Sequence, residues 1–598
     1  MMTKQRITAP TCLKQAQQIM KIALSRLWQR GARRDFHIKT KHLLLAFCVL
    51  VLGCSGGGSG TPSQGDPLLF QQWYLNNTGQ AAFSQNGGVA GEDLQMAQAL
   101  ADYLSGAGVI IAILDDSLEI AHEDLAANVI PNGSWNYVTQ TTDPTSTFTT
   151  GEHGTSVAGI AAAVGWNGVG GRGVAPWAYL KGFNVLEAQT TQNYIDSMGG
   201  HPRSQDVHIF NMSYGNDSTA FSPLPQTARD LYSSSSTLRK GKGGIYVKSA
   251  GNGFLSFKNQ INNNIYNCTD EKYGRADLTC ENAVADEENS RPEVITVGAF
   301  NANGVRSSYS TAGSNLWVSA PGGEYGTNSP AMITTDQSTC SKGYSRFDLV
   351  SPANKFEIGD SIYNEVCNYT SAFNGTSAAA PAASGAVALM LQVNPNLTRR
   401  DVKYILAKTA RKIDPNSIGA SVTVNINGTD YQAGQGWITN AAGFNFHNWY
   451  GFGAVSVDAA IAMARNYQTT LPTLQDKSYG GAVSPVMTIP DNDAKGVTKT
   501  IDIADNLTIE NFSLLVAINH PNTGEIGIEI ISPSGTKSII LNIRSALKTG
   551  LNTTGGVILS SNAFFGEKSK GTWTLKVLDS WPGNTGSLTY FGLQVLGY

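Results

Sequence analysis

The sequence predicts an α/β protein: a doubly wound parallel sheet followed by an all-β sandwich of the jelly-roll kind. Three observations carry that expectation. From residue 66 to about 465, apolar strand-like runs alternate with helical stretches and glycine-rich joints, the pattern of repeated βα units. Beyond a looser stretch of Thr, Pro, Gly and Ser, the apolar period falls to two, as in Thr500-Ile501-Asp502-Ile503 and Gly524-Glu525-Ile526-Gly527-Ile528-Glu529-Ile530-Ile531. The turn Ser532-Pro533-Ser534-Gly535 and the run Gly571-Thr572-Trp573-Thr574-Leu575-Lys576-Val577 complete a sandwich pattern of short strands.

The chain begins differently. Its first 53 residues hold ten of the 42 basic residues and one acidic residue, Asp35. They run into an apolar stretch from Leu43 to Leu52, of signal-peptide rather than membrane-spanning length. The stretch ends Val51-Leu52-Gly53-Cys54, which resembles a bacterial lipobox. Cys54 would then be acylated and become the mature N-terminus, with ordinary cleavage and free secretion as the alternative. Met20 is an alternative start, because the basic region is long. The expected organisation is a lipoprotein signal at 1–53, a Gly/Ser tether at 54–65, the α/β domain at 66–467, a linker at 468–486 and the sandwich at 487–598.

Without the leader the chain carries 32 basic and 44 acidic residues. An acidic exported chain disfavours nucleic acid and suits cationic substrates. Of seven cysteines, Cys12 and Cys48 fall in the leader and Cys54 is the lipidation candidate. Cys268, Cys280, Cys340 and Cys367 remain, an even set that allows three pairings. The nearest-neighbour pairing, Cys268–Cys280 with Cys340–Cys367, is preferred. No histidines stand nearby at zinc-site spacing.

Within the α/β region three segments carry chemistry, in the order Asp, His, Ser. Ile111-Ala112-Ile113-Leu114-Asp115-Asp116 reads as a buried strand ending in a carboxylate. His153-Gly154-Thr155-Ser156 opens a helix with an imidazole, and Asn374-Gly375-Thr376-Ser377-Ala378 opens a long buried helix with a hydroxyl. A nucleophile, a proton shuttle and an orienting acid are the needs of peptide-bond cleavage, and Ser377, His153 and Asp115 meet them. Asn252, in Ser249-Ala250-Gly251-Asn252-Gly253 just past a strand end, stands where an oxyanion donor belongs. Each piece alone reads as a helix cap or a turn; four in one order do not.

On these residues the chain resembles the subtilases, and among them the kexin and furin branch of proprotein convertases. The likeness starts at Asp66-Pro67-Leu68-Leu69-Phe70 and runs through Leu114-Asp115-Asp116, His153-Gly154-Thr155, Ser213-Tyr214-Gly215, Ser377 and Tyr450-Gly451-Phe452-Gly453. Ile489-Pro490-Asp491, Ser532-Pro533-Ser534-Gly535-Thr536 and Gly571-Thr572-Trp573 resemble that family's P domain. Ser117 departs from the glycine usual after the two aspartates. The short spacing from Cys54 to Asp66 leaves no room for the family's folding propeptide, so the resemblance implies dependence on calcium, on the P domain or on a separate chaperone.

The resemblance also implies a structural calcium ion. Asp66 and Asp124 would supply carboxylates, Asn167 its side chain, and Val164, Val169 and Gly171 their carbonyls; such hard oxygen ligands suit calcium. Relatives that cut after Arg or Lys line the substrate pocket with acids. Here Ser218 and Thr311 stand at two matching positions, Asp217 is one residue off, and Asp286-Glu287-Glu288 lies where another acid is expected. Asp116 matches an acid of the neighbouring subsite. The expected substrate-binding acids are therefore Asp116, Asp217, Asp286 and Glu288. Rival readings are a broad-specificity subtilase without basic preference, and an adhesin that binds through the sandwich and carries a vestigial protease domain.

Overall fold

A computed structural model describes residues 65–149, 153–215, 220–258, 265–268, 275–417, 422–468, 471–552 and 556–598. The leader, the tether with Cys54, and Asp217 with Ser218 lie outside the described residues.

Six strands form the central sheet: β1 (Ile110–Leu114), β2 (Tyr179–Phe183), β3 (Ile209–Met212), β4 (Ile245–Ser249), β5 (Val294–Phe300) and β6 (Val318–Pro321). They lie side by side in the order β2-β1-β3-β4-β5-β6 and every pairing is parallel. A parallel sheet must be covered on both faces, and the strand sequences divide accordingly. Ile111, Ile113, Ile209, Ile245 and Val247 enter one apolar core; Ala112, Leu114, Phe210 and Tyr246 enter a second. Alternation at period two thus feeds two cores from one sheet.

The first face is covered by α1 (His153–Ala162) and α2 (Thr376–Val393), both almost wholly buried. Gly, Ala and Ser dominate both, so the helices approach each other and the sheet closely. The composition and length of α2 would suit a membrane, but it is a core helix. Two antiparallel strands, β7 (Met332–Thr335) and β8 (Tyr369–Phe373), bracket an insertion closed by the Cys340–Cys367 disulfide. Cys268 pairs with Cys280. Both pairings are the nearest-neighbour ones.

The C-terminal sandwich has two four-stranded antiparallel sheets. One is β9 (Gln475–Ile489), β16 (Gly586–Gly597), β11 (Ile509–Asn519) and β14 (Val557–Ser560). The other is β10 (Asp493–Ile503), β15 (Gly571–Asp579), β12 (Ile526–Ile531) and β13 (Lys537–Leu541). Phe512 and Trp573 stack at 4.7 Å between them, with Phe564 edge-on.

One boundary needs correction. The stretch 468–486 was expected to be a linker, yet β9 begins at Gln475 and pairs with β16. Gly480, Gly481 and Pro485 break its apolar period, and an edge strand tolerates them because one side of its backbone needs no ladder. The register shifts between Ala482 and Met487, where the chain bends.

The sandwich is built into the α/β domain rather than appended to it. Asn282 and Asn542 bond through their amides at 2.9 Å, and the Ala546 N–H donates to the Cys280 carbonyl at 2.8 Å. Asn562 donates to the carbonyls of Asn315 and Leu316 at 2.8 and 3.0 Å. Val284 and Ala285 pack inside the sandwich core.

Candidate active site

The chemistry collects at the carboxyl ends of β1, β3 and β4, where open α/β sheets bind ligands. Asp115 directly follows β1 and is fully buried. Its two carboxylate oxygens lie 2.9 and 3.1 Å from His153 Nδ1. Asp116 performs a different task. It accepts the N–H groups of His153 and Gly154 at 3.0 and 2.9 Å, capping the start of α1. One aspartate orients the ring and the next holds its backbone. A Cβ on Gly154 would fall 1.9 Å from the Ser117 carbonyl oxygen and 2.8 Å from Asp115 Cβ, so only glycine lets the helix begin this close to the acid.

Burial by itself lowers the His153 pKa. The charge and hydrogen bond of Asp115, helped by Asp116, outweigh it, and the imidazole is pushed up to about 9. The Asp115 carboxyl is raised by burial against the opposing pull of the imidazole.

Ser377 is the second residue of α2. Pro381, four residues on, has no N–H to give back, which frees the Ser377 carbonyl. The Ser213 hydroxyl takes that place at 2.9 Å, and Ser377 Oγ donates in turn to the Ser213 carbonyl at 3.1 Å. In this rotamer Ser377 Oγ bonds to Ser213 rather than to His153; unliganded sites often leave that contact to form with substrate. Asn252 Oδ1 accepts from the N–H and the hydroxyl of Thr376 at 2.9 and 3.1 Å. The side-chain NH2 of Asn252 lies against Gly375 at the start of α2; there Asn252 takes the Thr376 N–H and the Gly375 carbonyl takes those of Ala378 and Ala379, which leaves the Ser377 N–H as the first-turn donor.

Beside Ser377 and Asn252 opens a cavity of about 210 Å3, walled by Tyr214, Gly215, Ser249, Thr311 and residues of the 281–286 segment. Two of its walls are acidic. Asp286 was expected there, but Lys248, buried on β4, holds its Oδ2 at 2.9 Å and Asn289 at 3.0 Å. Glu288 does not face this cavity. It bonds to the Tyr194 and Tyr232 hydroxyls, and burial pushes its carboxyl up to about 8. Glu287 pairs with Arg229.

The second acidic wall is Glu281, which sequence reasoning missed. Its N–H bonds to the Gly253 carbonyl at 2.8 Å, and a Cβ on Gly253 would meet its carboxylate at 2.1 Å. Its position next to Cys280, the anchor of the insertion after Asn252, was the available signal.

The expected calcium ligands gather as well. Asp124 is fully buried and accepts from Asn167 Nδ2 at 2.8 Å and the Gly171 N–H at 3.1 Å. Asp66 accepts from the Asn167 N–H at 3.1 Å and pairs with Arg172 at 2.6 Å. The Val164 N–H donates to the Asp124 carbonyl at 2.8 Å, and the Val169 N–H to Asn167 Oδ1 at 2.9 Å. Elsewhere, in the sandwich, His520 Nε2 lies 3.2 Å from Asp579 and 4.0 Å from Glu525, a buried cluster that nothing in the sequence pattern announces.

An imidazole held by a buried aspartate, a serine at a helix start and an amide beside it, all on a parallel sheet, define the class: a subtilisin-like serine endopeptidase. The chain belongs to the Subtilase family, whose model matches residues 106–453, and the Proprotein convertase P-domain model matches residues 509–595. It is 39% identical over 538 residues to an extracellular serine protease of Aeromonas sobria, covering 86% of this chain and 84% of that one. It is 35% identical to a microbial serine proteinase of Aeromonas salmonicida, covering 84% and 83%. A crystal structure of the Aeromonas sobria serine protease in complex with a chaperone superposes with a TM-score of 0.82 at 36% identity, covering 91% of this chain and 97% of that one.

Proposed function

We propose an exported serine endopeptidase in which Ser377 attacks the scissile carbonyl. His153 takes its proton and returns it to the leaving amine, and Asp115 fixes the ring and stabilises its cation. The oxyanion is met by the Asn252 amide and the Ser377 N–H. The observation that carries this reading is the Asp115–His153 bond placed on the same strand ends as Ser377 and Asn252. Ser377→Ala is expected to abolish peptide hydrolysis and labelling by a fluorophosphonate; retained labelling of the variant would overturn the assignment of Ser377, and a parent that does not label would return the adhesin reading.

The preferred substrate has Lys or Arg at the cleavage site. Glu281 supplies a carboxylate in the cavity beside Ser377, where a guanidinium would form a charge-assisted pair. Lys248 favours a second reading, broad specificity, because it already neutralises Asp286. Measuring kcat/KM for Arg against Leu peptides in the parent and in Glu281→Gln separates the two. Basic preference requires Arg to win in the parent and lose most of its lead in the variant.

Calcium fits the Asp66–Asp124–Asn167 cluster, because Asp124 is fully buried and its described partners are neutral donors. The ion would be held by those three side chains and the carbonyls of Val164, Val169 and Gly171. It would tie the N-terminal segment to the loop after α1. Acylation of Cys54 holds the enzyme at the cell envelope, and folding is assisted by a separate chaperone, as the relative's complex suggests.

A further inference from the structure

The insertion between β7 and β8 carries large apolar side chains outward. Val350 is 97% exposed, Ile362 80% and Phe347 69%, with Val366 and Tyr363 also exposed. One disulfide, Cys340–Cys367, closes the loop that holds all five, and Phe347 lies against it beside Gly359. Phe70 joins them, 52% exposed, with its ring 5.3 Å from that of Tyr363. Scattered apolar residues on a surface are ordinary; six gathered on one stapled loop and its neighbour are not.

Phe70 lies four residues beyond Asp66, and the described chain starts at Gly65. Asp66 is clamped by Arg172 and by the Asn167 N–H, and its carbonyl accepts the Leu69 N–H at 3.1 Å. The chain therefore enters the domain beside this patch. Ten residues lie between Cys54 and Gly65, a span of at most about 40 Å when fully extended. If Cys54 is acylated, the bilayer surface lies within that reach of Gly65, and the patch is apolar surface close at hand.

We propose that the Phe70–Phe347–Val350–Ile362–Tyr363–Val366 surface seats the enzyme on the phospholipid bilayer that holds its acyl chains. The inference rests on the reading of Cys54 as the lipid anchor. The anchor confines the patch near lipid, and the patch converts a loose tether into a fixed orientation. Charge contributes little. The loop's exposed and half-buried ionic residues balance, with Lys342, Arg346 and Lys355 against Asp348, Asp360 and Glu365. Seating is therefore apolar insertion, insensitive to salt and to the anionic lipid fraction.

The test uses the full chain with Cys54→Ser, which removes the acyl group, in flotation with phosphatidylethanolamine–phosphatidylglycerol vesicles. At ~1 mM lipid, an affinity near 10⁴ M⁻¹ carries most of the protein to the vesicle fraction. Flotation should persist in high salt. Val350→Asp with Ile362→Asp should reduce it at least tenfold while turnover of a small peptide stays unchanged, which shows that the variant folds. Equal flotation of the parent and the double variant, or none by either, overturns the proposal. So does flotation that appears only after a second protein is added, which would make the patch a protein-docking surface. Mass spectrometry of the unmodified chain reads the anchor separately: a Cys54 without acyl chains removes the tether, whereas an acylated Cys54 with a non-binding patch sinks the seat alone.

Discussion

His153 stands between two opposing effects, and their balance sets how the enzyme responds to pH. Burial favours the neutral ring, while Asp115 favours the cation and prevails. A general base must be neutral, so kcat/KM should rise with pH through the elevated His153 pKa and fall away in acid. Asp115→Asn removes the anion, leaves burial in control and should shift the midpoint of the pH–rate profile to lower pH. Its plateau should drop by about 10⁴, the loss typical of a triad without its acid. A midpoint that stays in place would mean that Asp115 does not set the ring's affinity for protons. Gly154 offers a second check. Gly154→Ala would drive a methyl into the Ser117 carbonyl and Asp115. Overpacking of this kind costs about 1–3 kcal/mol and here would separate acid from base, so both melting temperature and kcat should fall.

At the scale of elements, the same strand ends that carry catalysis are tied to the loop after α1. Calcium in the Asp66–Asp124–Asn167 cluster would stabilise only the folded chain, and its removal should lower the melting temperature. Asp124→Ala should start from a lower melting temperature and lose most of its response to a chelator. A parent whose melting temperature ignores excess chelator would rule the ion out. Elements also show where sequence reading works. β1, α1 and α2 were legible because each announces itself locally, by an apolar run ending in a carboxylate or a small-residue helix opening on a polar group. β9 was not, because its edge position permits the Gly480-Gly481 and Pro485 that make it read as a linker. The role of Asp286 was half legible. Its place on the cavity wall followed from chain order, but its neutralisation by Lys248 exists only once β4 packs beneath it.

At the scale of the whole molecule, one wall of the cavity beside Ser377 is built onto the sandwich. The segment 280–286 lines the cavity beside Ser377 with Glu281, Asn282, Ala283, Ala285 and Asp286 and rests on the sandwich through Asn282–Asn542, Cys280–Ala546 and the packing of Val284. Tyr431, on a hairpin of the catalytic domain, donates its hydroxyl to Glu529 of β12 at 2.6 Å. A chain ended near Thr470 would expose this apolar seam and release the wall that carries Glu281. Such a truncation should be insoluble or, where soluble, at least a hundredfold slower on peptides. Full activity in a soluble truncation would make the sandwich an independent module.

Among the three pairings open to Cys268, Cys280, Cys340 and Cys367, the fold forms the nearest-neighbour one. The sequence by itself determined the α/β-plus-sandwich architecture, the Asp115–His153–Ser377 order and the place of Asn252. Each is written in short segments whose periodicity, caps or spacing need no distant partner. The tertiary structure alone decided which acids line the cavity beside Ser377, because charge in a cavity depends on what lies behind it. The bond from the Glu281 N–H to the Gly253 carbonyl sets Glu281 on the cavity wall, and Asp286 is paired there with a lysine 38 residues away in sequence. Burial and pairing are properties of the packed chain, and they fix the electrostatics that local sequence leaves open.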